Sequence, residues 1–209
     1  GFNGNLEAEW LPDDDIRQRD RGSFRYHHLG QLDAHWQVRA DLYRVSDDRY
    51  FEDLGDSLTS ISTTLIESST GVFGRGKGWT ASALLRDFQL VDPLIDNAAT
   101  PFRQIPQMRF DALRPTAWSS LQWGLRSELV GFDHSVLAAG QRLDLYPFLQ
   151  APIERSWGFI RPELGYRYTR YSLDRELISN DGSPSRGTPI ASLDTGLLFE
   201  RPARLFNRD

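Results

Sequence analysis

Strict alternation of apolar and polar residues is the feature that most constrains the fold of this chain. It is clearest from Leu32 to Leu42, where six apolar residues interleave with five polar ones. A helix would spread these apolar side chains around its circumference, whereas a β-strand places them on one face. Eleven residues also exceed the roughly five or six of an ordinary globular strand and match a tilted strand that crosses a bilayer. The window therefore predicts a long strand with one apolar face and one polar face.

The same alternation recurs along the chain and predicts about ten strands, the number of windows in which it occurs. Besides residues 32–42, the clear windows are 3–10, 107–112, 121–129, 160–169 and 191–200, and the weaker ones are 22–29, 59–68, 79–90 and 140–149. No stretch of twelve or more residues has the apolar period of an amphipathic helix. The predicted fold class is all-β, an antiparallel up-and-down meander.

The predicted connections alternate between long and short. The long ones are residues 11–21, 44–58, 91–105 and 174–188, with 132–139 somewhat shorter, and the short ones lie around Gly30 and at 69–78, 114–120 and 150–156. Outer-membrane barrels have this form, with short periplasmic turns and longer outside loops. We therefore expect the long connections to lie outside the cell.

Tryptophan placement agrees with a membrane barrel. Trp36 and Trp123 are predicted to lie deeper in their strands, and four others lie next to predicted strand ends: Trp10, Trp79, Trp118 and Trp157. Barrels carry girdles of aromatic residues at the membrane interfaces, which these four tryptophans would supply. The placement is also compatible with an ordinary core, because tryptophan is a good strand residue with a large area to bury.

Composition excludes several classes of protein. The formal net charge is −5, which disfavours a nucleic-acid partner because such proteins carry a basic surface. Mean hydropathy is −0.49 and no apolar run is long enough for a membrane helix. The chain has no cysteine, so neither a disulfide nor a thiolate metal site is predicted. It begins at Gly1 without a charged and apolar leader, and we expect it to be an excerpt of a longer chain.

Charges of both signs occupy the polar positions of the predicted strands. Opposite charges on neighbouring strands can pair across the ladder, and a wall of such pairs suits the polar lumen of a large barrel. A solvated sheet face in a soluble protein accommodates them as well. The predicted lumen-facing charges are Asp33, Arg39, Asp41, Arg109, Asp111, Arg126, Glu128, Arg161, Glu163 and Arg167.

The sequence predicts no enzyme: no catalytic, cofactor-binding or metal-binding residue emerges. His27 and His28 are neighbours in a predicted strand and point to opposite faces, so they cannot easily share a metal. His134 and Ser135 are adjacent, which disfavours a hydrogen bond between nucleophile and base. The acidic runs at residues 13–15 and 47–48 could hold a divalent cation, although solvated turns are the simpler interpretation.

Two further patterns concern the backbone. Glycines at residues 71, 74, 76 and 78 predict a flexible turn rather than a phosphate-binding loop. Pro162 lies inside a predicted strand, where it lacks the N–H group that the ladder needs, so we expect a bulge or an irregular register at this position.

Several ordered motifs resemble one family. The most specific begins at Val45 and reads V-S-D-D-R-Y-F-E-D, directly after a strand that contains tryptophan. The residues that carry the likeness are Val45, Ser46, Asp47, Tyr50, Phe51, Asp53, Pro106, Gln107, Pro162, Asp194, Gly196, Phe199, Glu200 and Arg201. Their pattern is similar to that of the barrel region of the LPS-assembly protein family, LptD, also called organic solvent tolerance protein. The likeness extends in order over nearly the whole chain.

The resemblance implies a role in a Gram-negative outer membrane. Family members have a periplasmic N-terminal jellyroll and a C-terminal barrel of about 26 strands, near the upper end of the usual range. The lipoprotein LptE plugs the lumen, the periplasmic bridge protein LptA delivers lipopolysaccharide to the jellyroll, and the barrel passes it to the outer leaflet. Residues 1–209 would then be a segment of the C-terminal barrel domain, in contact with outer-membrane lipid. The resemblance implies no cofactor.

Two other architectures remain open at this point. A different self-closed barrel, such as a pore, an adhesin or a barrel enzyme, would pair the first strand of this segment with the last. A soluble β-sandwich binding module would instead pack the apolar face of residues 32–42 against a second sheet.

Overall fold

Long antiparallel strands make up most of the described chain. A computed structural model describes residues 1–55, 62–117, 120–173 and 183–199. Within these ranges there are eleven strands and one short α-helix: β1 Phe2–Asp14, β2 Arg19–Gln31, β3 Trp36–Val45, α1 Tyr50–Leu54, β4 Leu65–Gly76, β5 Trp79–Leu90, β6 Arg103–Pro115, β7 Gln122–Asp133, β8 Gly140–Gln150, β9 Ile153–Arg155, β10 Gly158–Leu173 and β11 Ser185–Leu197. The predicted all-β class is confirmed.

The strands form one sheet in chain order. Consecutive strands from β1 to β8 pair with one another, β8 pairs with β10, and β10 pairs with β11, while the short β9 pairs only with the start of β10. Every neighbouring pair is antiparallel, which confirms the predicted up-and-down meander. In the part of the chain that the structure describes, β1 pairs only with β2 and β11 only with β10, so the sheet has two open edges.

The register separates the sheet into two faces of opposite chemistry. Arg109 of β6 lies opposite Glu128 of β7, which lies opposite Asp144 of β8. One residue further along β6, Met108 lies opposite Leu129 of β7. Because side chains alternate between faces, the first row defines a polar face and the second an apolar face across the whole sheet.

The apolar face is largely uncovered. Leu6, Leu164 and Leu193 all lie on it and are 60%, 66% and 66% exposed. By contrast, the cluster of buried apolar side chains lies at one rim, where the connection after β3 packs against strand ends. A sheet whose apolar face is bare requires another apolar phase or surface against that face. No helix in the described ranges is long and apolar enough to span a membrane.

Aromatic rings lie flat over glycines of the neighbouring strand. Trp36 pairs with Gly74, and a Cβ atom built on that glycine would lie 2.6 Å from Trp36 Cζ3. Phe148 covers Gly124 in the same way on the polar face. The absent side chain makes room for the ring, so each pair of this kind buries an aromatic surface without a second layer of structure.

The rims differ as predicted, with one correction. Residues 46–64, 91–102, 134–139 and 174–184 connect strands at one rim, hereafter the long-loop rim, and 32–35, 77–78, 116–121 and 151–157 connect them at the other, the short-turn rim. The predicted long connection at residues 11–21 is wrong, because only residues 15–18 separate β1 from β2. The strands extend past the alternating pattern through an irregular register after Leu11.

Four tryptophans mark the short-turn rim, whereas Trp10 lies inside β1 towards the long-loop rim, so its predicted place next to a strand end is wrong. Trp36 is the first residue of β3, Trp123 is the second of β7, and Trp79 begins β5. Trp157 lies in the turn before β10 at the same rim, and the rings of Trp36 and Trp79 are 5.7 Å apart. The prediction that Trp36 and Trp123 lie deep in their strands is therefore wrong. The predicted strand end at Trp118 lies outside the described residues.

Two backbone predictions are also corrected. Residues 71–76 belong to β4, so the glycine-rich stretch is mostly strand, and the turn consists of residues 77–78. Pro162 pairs with Leu193 without any register shift. The O atom of Pro162 accepts a bond from Ala151, on the side where β8 has ended and β9 has not begun. The missing N–H group therefore meets a gap in the ladder, and no bulge is needed.

Candidate functional site

A buried arginine organises the long-loop rim. The Arg21 side chain is 0% exposed. Its Nε and Nη2 atoms donate to Asp47 at 2.9 and 3.0 Å, and Nη1 donates to Asp14 at 3.1 Å and to Asp53 at 2.9 Å. A guanidinium group suits this arrangement because its donors form a rigid planar fork. We call Arg21, its three carboxylates and Arg17 the rim cluster.

The rim cluster joins segments that are distant in sequence. Asp14 ends β1 and Arg21 lies near the start of β2, so the turn between them brings the two together. Asp47 comes from the connection after β3, where it also accepts hydrogen bonds from Ser46 Oγ at 2.7 Å and from the Arg49 N–H at 3.1 Å. Arg17 binds Asp53 through two hydrogen bonds of 2.8 and 3.0 Å. The turn after β1 is thereby tied to α1.

Two aromatic residues of α1 complete this packing. Tyr50 and Phe51 are 6% and 5% exposed and form a buried cluster with Val45, Ile66 and Val91. The Tyr50 hydroxyl donates to Glu9 Oε2 at 2.7 Å. Because Glu9 and Arg21 belong to the polar face, α1 lies folded over that face at the long-loop rim.

Opposing effects set the pKa of Asp47. Its burial acts to raise the pKa, but hydrogen bonds from Ser46 and Arg21 outweigh burial, so the pKa lies below the ordinary value of 3.8. For Asp53, the hydrogen bonds from Arg17, with a smaller contribution from Arg21, hold the pKa of the carboxyl group below the same value. Both groups are therefore ionised at neutral pH.

The structure brings six of the predicted motif residues to one place and leaves the others apart. Those brought together are Val45, Ser46, Asp47, Tyr50, Phe51 and Asp53. Pro106 and Gln107 lie in β6, Pro162 in β10, Asp194 and Gly196 in β11, and the exposed Phe199 just beyond it. Glu200 and Arg201 lie outside the described residues.

Sequence reasoning missed the residues that these motif side chains contact. Arg21 and Asp14 fall in a predicted loop, and the sequence predicts no contact between Val45 and Gln89, whose amide bonds both backbone groups of Val45. The available signal was the acidic run at residues 13–15 followed by arginines at 17, 19 and 21. Acidic residues before a tight turn and arginines after it predict ion pairs across that turn.

The polar face carries fixed charges in cross-strand pairs. Glu128 accepts hydrogen bonds from Gln107 and Arg109, each at 2.8 Å, and also pairs with Arg142. Arg167 donates to Asp144 of β8 at 3.0 and 3.1 Å. Nine predicted charges lie on this face: Arg39, Asp41, Arg109, Asp111, Arg126, Glu128, Arg161, Glu163 and Arg167.

Asp33 does not lie on the polar face. Because β3 begins at Trp36, Asp33 falls in the turn after β2, where its Oδ1 atom accepts hydrogen bonds from the N–H groups of His35 at 2.7 Å and Trp36 at 2.8 Å. These bonds lower the pKa of Asp33. The residue shapes the turn and contributes no charge to the sheet.

Several arginines of the polar face rest on aromatic rings. The guanidinium carbon of Arg126 lies 4.6 Å from the ring centre of Phe148, and that of Arg39 lies 4.9 Å from Phe73. A cavity of about 410 Å³ surrounds Arg39, with small residues of β4 and β5 at its base. Such stacked cations remain able to contact a polar surface brought against the sheet.

The acidic runs have an assigned role as ion-pair partners. Asp14 and Asp47 both bind Arg21, so a divalent cation is not needed to neutralise them. Over the described ranges, no group of three or more His, Cys, Asp or Glu side chains is placed to hold a metal ion. The site can fix loop geometry and present charge.

The first prediction concerns the buried charge. Arg21→Gln leaves buried carboxylates without their cation, and breaking a buried ion pair typically costs about 3–5 kcal/mol. We expect the full-length protein to unfold at a lower denaturant concentration and the connection after β3 to become protease-sensitive. Arg19→Gln is the matched control. The Arg19 side chain is 51% exposed, and its Nη2 atom lies 3.4 Å from Asp47 Oδ1, which is farther than the Arg21 Nε atom at 2.9 Å. Equal effects of the two substitutions would contradict the assignment.

The second prediction concerns pH. Because the folded pKa values of Asp47 and Asp53 lie below 3.8, their stabilisation is present above that value and is lost as pH falls through the lowered folded values. We expect the protease sensitivity of residues 46–55 to rise steeply below about pH 4. In Asp53→Asn the connection should be looser at neutral pH and change less with acid. A wild-type profile unchanged by Asp53→Asn would refute this linkage.

Comparison with known proteins identifies the family. The model of the family described as LPS transport system D matches residues 19–209. The LPS-assembly protein LptD of Nitrosococcus oceani is 37% identical over 208 residues, which cover 99% of this chain and 28% of the relative. That of Xylella fastidiosa is 34% identical over 226 residues, covering 97% and 28%, and that of Aromatoleum aromaticum 35% over 212 residues, covering 100% and 26%.

The alignments cover nearly all of this chain but only part of each relative. The chain spans little more than a quarter of the length of the curated relatives that it matches. The residues that match the family model include the motif of the rim cluster and the strands that carry the polar and apolar faces. This chain belongs to the LptD family of LPS-assembly proteins.

Proposed function

We propose that this chain forms part of the wall of an outer-membrane barrel that assembles lipopolysaccharide in the outer leaflet. The observation that carries the proposal is the two-faced meander, whose uncovered apolar face and charged polar face lie on one open sheet. In this arrangement the apolar face contacts membrane lipid and the polar face lines the lumen. The role is transport and assembly, without bond chemistry.

Strand length supports a membrane position. Apart from β9, the strands contain between 10 and 16 residues, whereas a tilted strand needs about 9–11 to cross the hydrocarbon region. Exposure supports it as well, because soluble monomers rarely expose contiguous apolar patches beyond a few hundred Å². A row of half-exposed or exposed leucines on one face is stable when hydrocarbon covers it.

The polar face supports a lumen that contains a partner. Seven of its nine predicted charges, all except Asp41 and Asp111, are held by cross-strand pairing or by aromatic stacking, which fixes them in position for contact. We assign the LptE lipoprotein to this lumen as a plug. The periplasmic bridge protein LptA would bind the jellyroll domain, which lies outside residues 1–209.

The open edges support membership of a larger barrel. Unpaired backbone groups at the edge of a sheet are not tolerated in hydrocarbon, so strands from elsewhere in the parent protein must pair with β1 and β11. This agrees with the small share of its relatives that the chain covers. We therefore assign residues 1–209 to a segment of the C-terminal barrel domain. A self-closed barrel would need β1 to pair with β11.

The functional test is depletion of the full-length protein in its own Gram-negative cell. We expect newly made lipopolysaccharide to accumulate in the inner membrane and to disappear from the surface, and purified protein to co-isolate with LptE. The measurement is antibody labelling of lipopolysaccharide on the surface of intact cells. Normal surface levels after depletion would reject the proposal.

Leu193 and Asp194 test the assignment of the two faces. They are neighbours in β11, point to opposite faces, and are both 66% exposed. We expect Asp194→Cys, but not Leu193→Cys, to react with a water-soluble thiol reagent in proteoliposomes of the full-length protein. A lipid-embedded reagent should give the opposite pattern. Equal labelling of both by the water-soluble reagent would place the apolar face in water and contradict its contact with lipid.

A further inference from the structure

A groove of about 260 Å³ lies on the apolar face near the long-loop rim. Ser68 and Thr70 of β4 form its floor, and the larger side chains of Leu42, Leu85 and Ile105 form its walls. The groove exists because β4 presents small side chains where its neighbours present large ones. It lies away from the rim cluster, which is on the polar face.

The polar atoms of the floor are already satisfied. Ser68 Oγ donates to the Tyr43 carbonyl at 2.8 Å, and the Tyr43 N–H donates to it at 3.0 Å. Thr70 Oγ1 donates to the Arg39 carbonyl at 3.2 Å. Since each hydroxyl has its partner in the neighbouring strand, the floor requires neither water nor a polar ligand. The groove therefore suits a hydrocarbon chain.

Arg44 and Asp87 line one end of the groove, and Arg103 is joined to that end through Asp87. Arg103 Nε lies 2.8 Å from Asp87 Oδ1, and Arg44 pairs with the same carboxylate. Arg103 also contacts Asp133 at 3.1 Å. The Arg44 and Arg103 side chains nevertheless remain 43% and 45% exposed. Two guanidinium groups that share Asp87 retain donors suited to the oxygens of a phosphate.

We propose that this groove binds a phosphorylated lipid, with an acyl chain over Ser68 and Thr70 and the phosphate on Arg44 and Arg103. The inference rests on the proposed function, because it requires the apolar face to contact the membrane. The chemistry of the two ends selects this occupant: an apolar groove that ends at exposed guanidinium donors matches an acyl chain joined to a phosphate.

The position along the strands fits the same occupant. Arg44 and Arg103 lie at the ends of β3 and β6 at the long-loop rim, and the groove extends from them toward the middle of the sheet. A lipid in a bilayer has this orientation, with its phosphate at the interface and its chains toward the centre. Both a glycerophospholipid and a phosphorylated glycolipid supply this chemistry.

Lipid retention by the full-length protein tests the proposal. The protein is purified in detergent and incubated with phosphatidylglycerol, with lipid A or with diacylglycerol of the same chain length, and bound lipid is counted by native mass spectrometry. Thr70→Leu fills the floor of the groove, and Arg44→Gln removes one cation while Arg103 keeps Asp87. Ser127→Leu is the control for the floor, since Ser127 also lies on the apolar face and donates to a strand carbonyl, that of Phe110, at 3.0 Å.

Arg170→Gln is the control for charge, because Arg170 lies on the apolar face near the long-loop end of β10. We expect at least one phosphorylated lipid to bind about ten-fold more tightly than diacylglycerol, equivalent to roughly 1.4 kcal/mol. Arg44→Gln should remove that preference, and Thr70→Leu should reduce retention of all lipids. Both controls should behave as wild type.

The outcomes separate the sources of the lipid and the two proposals. Stronger retention of phosphatidylglycerol identifies a glycerophospholipid, and stronger retention of lipid A identifies a phosphorylated glycolipid. Equal retention of diacylglycerol, or full retention by both groove variants, overturns the lipid site. If this happens while Leu193→Cys and Asp194→Cys still label as expected, the proposed function stands without the groove.

Discussion

The antiparallel backbone ladder is the constraint on which the rest of this structure depends. Between β10 and β11 it continues through thirteen consecutive residue pairs, from Gly158 opposite Leu197 to Arg170 opposite Ser185. A ladder of this length satisfies the backbone without any help from side chains, which leaves each face free to be uniformly apolar or polar. Its register shifts, after Leu11 in β1 and around Pro106 in β6, lie toward the long-loop rim. Bulges redirect strands there, where the connections fold back.

The buried charges at the long-loop rim fix the positions of the chain segments there more than they stabilise the fold. A buried ion cluster can often be replaced by apolar residues of similar volume without loss of stability, because desolvation offsets the attraction. An apolar cluster, however, tolerates many packings, whereas Arg21 meets Asp14, Asp47 and Asp53 in only one arrangement of three chain segments. The geometry of α1 over the polar face follows from that requirement. This explains why a short motif holds a connection that would otherwise have no regular structure.

Alternation predicts the sheet well and the contacts of its rim poorly. The period of two in residues 36–42 and 160–169 assigns both faces correctly, because the face of a side chain depends only on whether its position in the strand is odd or even. Asp33 and Arg21 fail for a different reason: whether a residue at a strand end continues the ladder or turns depends on hydrogen bonds to distant partners. Asp33 turns because two N–H groups bind its carboxylate, and Arg21 continues because three carboxylates converge on it. Alternation of apolar and polar residues does not contain that information.

The small residues of strand β4 explain both why its sequence does not predict a strand and why cavities lie beside it. Its sequence, L-I-E-S-S-T-G-V-F-G-R-G, lacks clear alternation because small residues stand at apolar and polar positions alike, and much of it therefore resembles a turn. The same small residues leave the sheet thin on both sides. Ser69 borders the cavity around Arg39 on the polar face, and Ser68 and Thr70 form the floor of the groove on the apolar face. Because the ladder rather than side-chain packing holds β4 in place, this strand can leave open space on both of its faces.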